Sequence, residues 1–88
     1  MTNQHEPKWM TKAKETYNYH RVKMLANDKW TTIQTARLLR RSIGSISEDL
    51  MLARACKDHE ERLKKFDYQY EALDWIREKE KERKTSSL

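Results

Sequence analysis

Residues 30–54 read WTTIQTARLLRRSIGSISEDLMLAR, and the spacing within this stretch decides the fold. Thr31 and Gln34 match the Ser/Thr-x-x-Glu/Gln capping box, in which each end residue satisfies the other's free backbone donor, so a helix is expected to start there and end near Leu39. Arg40, Arg41 and Ser42 leave room only for a tight turn. The Ser42 hydroxyl is suited to cap the next helix, and Ser45-x-x-Glu48 offers a second capping box three residues later. Ile43, Ile46, Leu50 and Ala53 recur at helical spacing as one buried stripe, which leaves Gly44, Ser45, Ser47, Glu48 and Met51 outward.

On the N-terminal side, residues 1–6 are polar and expected to fray, and Pro7 suits a first helical turn. A helix is expected from about Lys8 to Ala26. Its apolar stripe is read as Met10, Ala13, Tyr17 and Met24, widened by Val22 and Leu25, with His20 on the same face as a half-buried histidine bonded to backbone. Asn27 and Asp28 break the pattern. On the C-terminal side, Leu63, Phe66, Tyr70 and Leu73 fall at near-heptad spacing with Trp75 and Ile76 alongside. This predicts one amphipathic helix over 58–84, or two pieces with a break near Phe66 or Asp67. The organisation expected is a basic region over 1–57, the amphipathic helix over 58–84 and a disordered tail over 85–88.

The fold class expected is all-α, a small helical domain. With 88 residues, every helix must share one core and no enclosed substrate cavity fits. A single glycine and a single proline remove the punctuation that hairpins and phosphate-binding Gly-rich loops require. No apolar run is long enough to span a bilayer and no signal-peptide hydrophobic region follows Met1, so a cytoplasmic location in a prokaryotic or phage-infected cell is expected. Cys56 is the only cysteine, which rules out an internal disulfide and reads as a small buried hydrophobe.

The net charge of +5 is uneven. Residues 1–30 carry six basic and three acidic side chains, residues 31–57 five and two, and residues 58–88 eight and nine. A basic front beside a nearly neutral tail points to a polyanionic partner in front and a packing or pairing role behind.

A pair of short helices with this turn resembles the helix-turn-helix of ParB/KorB-type partition and repressor proteins and similar phage and plasmid regulators. Those families follow an alanine by serine at +6, a β-branched residue at +10 and leucine at +14, here Ala36, Ser42, Ile46 and Leu50. The resemblance covers residues 30–54 alone and departs at Arg40, where the families place a glycine. A left-handed arginine costs on the order of 1 kcal/mol, so a different turn path is an alternative. Nothing in the chain resembles the nucleotide-binding domain of full-length ParB.

The resemblance implies a double-stranded DNA site built from Gln34, Arg37, Arg40, Arg41, Ser42, Gly44, Ser45, Ser47 and Glu48. Ser42 to Ser47 lie at the start of the recognition helix. Arg37, Arg40 and Arg41, helped by Lys29 and Lys57, would meet phosphates. Glu48 reads as a cap in preference to a cytosine reader, and Asp49 as a local structural partner. Leu63, Phe66, Tyr70, Leu73 and Ile76 form the expected oligomerisation stripe, with folding back onto the first helix as the alternative. The three histidines lack metal-site spacing and the serines lack a nearby base, so no metal, cofactor or catalytic set is expected. The function expected is a sequence-selective, dimeric transcriptional regulator of phage or plasmid type. A DNA-packaging adaptor like the small terminase subunits, or a helical module for an acidic protein partner, are the alternatives.

Overall fold

The computed structural model describes residues 6–86, the last three by backbone alone, and among these it contains four helices and no strand: α1 (Lys8–Ala26), α2 (Thr32–Leu39), α3 (Ile43–Leu63) and α4 (Gln69–Ser86). The protein is all-α. No helix among the described residues is long and apolar enough to cross a membrane.

Helix α1 occupies the range expected and turns the expected face inward up to His20, but not beyond it. Its buried residues are Trp9, Met10, Ala13, Thr16 and His20. Val22 and Leu25 are 63% and 77% exposed and Met24 is exposed as well, so the apolar stripe read from the sequence is corrected over its C-terminal half. The cause is physical. The inward line continues through two polar residues, which are satisfied by partners on other helices, and hydrophobic periodicity cannot register them. At the other end, the Trp9 indole N–H donates to the Phe66 carbonyl at 2.8 Å and ties the start of α1 to the segment after α3.

The expected capping box starts α2. The Thr31 hydroxyl accepts from the Gln34 N–H at 3.3 Å, and the Gln34 side-chain carbonyl accepts from the Thr31 N–H at 2.8 Å. The helix ends on Arg40, whose backbone is left-handed (φ 56°, ψ 47°). The Arg41 N–H reaches the Ala36 carbonyl at 3.0 Å and the Arg40 N–H reaches that of Arg37 at 3.2 Å, which is the paired bonding of a Schellman terminus. The alternative turn path is therefore not taken. The arginine occupies the position where glycine is least strained.

Ser42 caps α3, its hydroxyl accepting from the Ser45 N–H at 3.1 Å. The helix has thus begun three residues before the second capping box, which does not form. Ile46, Leu50 and Ala53 are buried as read and are joined by Asp49, Leu52 and Cys56, whereas Ile43 is 49% exposed because it sits in the first turn, beyond the end of α2. Helix α3 passes through the expected boundary at 57/58. It carries a non-helical residue at His59 (φ −132°, ψ 32°), and continues to Leu63. The chain then breaks before α4, so the two-piece reading of residues 58–84 describes the structure and the single helix does not. Thr85 and Ser86 belong to α4. The expected fraying of residues 1–5 and the disorder of 87 and 88 fall outside the described residues.

The core has two parts. The larger joins α1, α3 and α4 through Met10, Ala13, Leu52, Cys56, Leu63 and Leu73, among others. The smaller holds α2 to α3 through Ala36, Ile46 and Leu50. Leu63, Leu73 and Ile76 lie buried in the larger part. The sequence had offered them for pairing between chains, but the break after Leu63 lets α4 fold back, and their apolar surface is covered within one chain. Of the remaining stripe, Phe66 packs near Trp75 with ring centroids 6.5 Å apart, and Tyr70 is exposed, stacked on Tyr68 at 5.6 Å.

Candidate nucleic-acid interface

Two polar clusters fix α2 and the turn against the rest of the chain. In the first, the Arg41 guanidinium meets the Asp49 carboxylate at 2.7 Å (Nη1 to Oδ2), and Thr16 bridges them, donating to Asp49 Oδ2 at 3.0 Å while accepting from Arg41 Nη1 at 3.1 Å. Asp49 is wholly buried. Its other oxygen, Oδ1, has no hydrogen-bond partner among the described residues, and Arg41 is the cation paired with the carboxylate. In the second cluster, the Thr35 hydroxyl oxygen accepts from the Trp30 indole at 2.7 Å and lies 2.6 Å from His20 Nδ1. Burial, with Arg54 nearby, holds the His20 imidazole below its ordinary pKa. The neutral ring shares one hydrogen bond with the Thr35 hydroxyl, which also lies 3.4 Å from the Thr31 carbonyl. The histidine is fully buried and bonded to a side chain, where the sequence suggested a half-buried ring bonded to backbone.

These clusters sort the expected contact residues. Arg37 and Arg40 are exposed and have no ion-pair partner among the described residues. Arg41 points inward to Asp49, so its expected place as a free phosphate contact is corrected: the buried carboxylate claims its charge. Gln34 is half-buried with its carbonyl used in the capping box, which leaves its amide N–H groups available. Ser42 is exposed at the cap, and its hydroxyl lies 3.1 Å from that of Ser45. Ser45 is half-buried, and Ser47 is exposed. Glu48 does not cap α3, which Ser42 caps. It leans onto α4, accepting from Gln69 at 3.5 Å with Arg77 at 4.0 Å. Asp49 has the structural role read from the sequence.

The surface of α3 left open between α2 and α4 carries Ile43, Gly44, Ser47 and Arg54, all exposed. Ser47 follows Ile43 by four residues and Arg54 follows Ser47 by seven, so the three share one face. Asp58, four residues further, ends that face with a negative charge. Nothing in the chain requires glycine at position 44: a Cβ there would meet only the Ser42 hydroxyl, at 4.0 Å. The missing side chain lowers the surface for whatever approaches from outside. Arg54 was not among the residues singled out from the sequence, although its seven-residue spacing from Ser47 was there to read.

Chemically, the arrangement presents two unpaired guanidinium groups at the turn, a low, polar first turn of α3, and a third guanidinium further along the same face. Guanidinium groups match phosphate oxygens and the guanine edge, and hydroxyl and backbone donors match phosphate. Compared with protein-family models, with curated proteins and with solved structures, the chain matches none.

Proposed function

We propose that the protein is a sequence-selective double-stranded DNA-binding protein, a regulator of transcription, in which α2, the Arg40–Ser42 turn and the start of α3 act as a helix-turn-helix. The supporting observation is Arg40. Its left-handed backbone costs on the order of 1 kcal/mol that a glycine would avoid, and its side chain serves no partner among the described residues. Strain kept at an exposed cation is explained by what the cation meets outside the chain. The α3 face runs along the major groove, with Ser47 and Arg54 at base edges and Arg37 and Arg40 on phosphates. The reading keeps Gln34, Ser42 and Gly44 at the groove margin and sets Arg41, Ser45 and Glu48 aside as structural.

A palindromic operator requires two chains with reading faces about 34 Å apart. Pairing would then use surfaces other than Leu63, Leu73 and Ile76, which are covered within each chain.

The test is selection of duplex fragments by the intact protein from a pooled genomic library, followed by fluorescence-anisotropy titration of retained and random fragments at low and near-physiological salt. Recovery of a defined sequence that outcompetes random duplex supports the proposal. Uniform, salt-labile binding would remove the sequence-selective regulator and favour a packaging adaptor or a module for acidic proteins.

A further inference from the structure

Across the junction of α1 and α3, away from the turn, several donors converge without an acid to balance them. Lys57 Nζ donates to the Tyr17 hydroxyl oxygen at 3.1 Å and sits 5.1 Å from the centre of that ring. Arg21 lines the same shallow depression, about 250 Å³ in volume, as Tyr17 and Lys57. Arg54, one helical turn before Lys57, is close enough for its charge to act on Tyr17. The Lys57 hydrogen bond, with the charges of Lys57, Arg21 and Arg54, pulls the Tyr17 phenol below its ordinary pKa. The one carboxylate on the rim, Glu60, is already held by Lys14 at 3.4 Å and Lys64 at 3.6 Å.

The donor inventory is unspent. Tyr17 accepts from Lys57, so its own O–H remains to be donated, and no acceptor for it lies among the described residues. Lys57 has two further N–H donors. Arg21 is exposed with no ion-pair partner among the described residues. This is the donor set of a site for a tetrahedral oxyanion: one neutral O–H and two full positive charges around a concavity.

We propose that Arg21, Lys57 and the Tyr17 hydroxyl form a second anchor for a DNA backbone phosphate, next to Arg54 on the reading face and separate from the α2–α3 turn. The proposal rests on the DNA-binding reading above. Its position suits that reading. From Ser42 at the start of α3 to Arg54 the helix rises roughly 18 Å, against a major groove about 12 Å wide. Cations at the turn and cations at this second site thus bracket the reading face at both ends. Phosphates flanking the groove are held on either side of Ser47, which fixes the angle at which α3 lies.

The experiment measures anisotropy of a random-sequence duplex over a salt series with the full chain and three variants, each checked for an unchanged circular-dichroism melt. Arg21→Gln with Lys57→Gln is expected to reduce the slope of log affinity against log salt by up to about two. Tyr17→Phe keeps the ring and removes a neutral donor, so it is expected to lower affinity severalfold with the slope unchanged. Arg37→Gln with Arg40→Gln reports on the turn alone. If the turn variant reduces the slope while the Arg21/Lys57 variant leaves it at the wild-type value, the second anchor is overturned and the DNA reading stands. If the wild-type protein shows no salt-dependent duplex binding, the DNA reading itself is overturned.

Discussion

The half-buried Arg41 and the buried Asp49 form an ion pair at 2.7 Å that joins the turn after α2 to the second turn of α3. It fixes the crossing of two helices whose shared apolar cluster is small, centred on Ala36, Ile46 and Leu50. The neighbouring arginine, Arg40, points the other way. Two adjacent arginines therefore divide the work of the turn: one anchors it and one is presented to solvent.

Removing the anchor should cost far more than removing a surface charge. Arg41→Gln leaves Asp49 as an uncompensated buried carboxylate, for which the expected loss is about 3–5 kcal/mol. Urea denaturation at neutral pH measures it. A loss below about 1 kcal/mol would mean that Arg41 is free to leave Asp49.

Arg40→Gly separates stability from binding. Glycine relieves the left-handed strain, and the expected gain is about 1 kcal/mol in the same denaturation assay. Under the proposed function duplex affinity should fall at the same time, because the cation assigned to phosphate is lost. A variant that is both more stable and undiminished in DNA affinity would take the turn out of the interface.

Two isoleucines three residues apart on α3 should behave differently. Ile46→Ala opens a cavity in the small cluster and is expected to cost about 2–5 kcal/mol. Ile43, exposed on the reading face, should change stability by no more than about 0.5 kcal/mol when replaced by alanine. Equal losses at the two positions would mean that α3 is rotated from the orientation described.

Stability should fall on mild acidification through His20. Its pKa in the fold lies below the ordinary histidine value of 6.5, so the unfolded chain takes up a proton that the native chain refuses. Its contribution to stability is full above about pH 7 and declines as pH drops below 6.5 toward the native value. Protonation also places a charge near Arg54 in a buried site. A melting series between pH 7.5 and pH 5 should show the decline, and His20→Gln should reduce its slope. An unchanged slope in that variant would assign the acid sensitivity to other groups.

The parts of the fold legible in the sequence were those governed by local backbone chemistry. Thr31 and Gln34 announced the start of α2, Ser42 announced that of α3, and Asn27 with Asp28 marked the end of α1. What escaped was that Thr16 and Thr35 turn inward, and which partners they, His20 and Asp49 meet. Thr16, His20, Thr35 and Asp49 are buried because each finds a partner on another helix, and such partnerships span 15 to 33 residues of sequence. Arg41 was read as a surface cation for the same reason. Its acid lies eight residues on, and only the left-handed turn at Arg40 aims it there. The pairing stripe of Leu63 and Leu73 likewise reads the same whether its cover comes from another chain or, as here, from α1, α3 and α4 of the same one.

The proposal to test first is that the exposed face of α3 enters DNA. Its most direct test is titration of the ¹⁵N-labelled protein with a selected duplex, followed by amide chemical shifts. The largest changes are expected at Arg40, Gly44, Ser47 and Arg54, with little change at Glu78 to Glu82 on α4. Changes centred on α4, or no change at any duplex concentration at low salt, would contradict it.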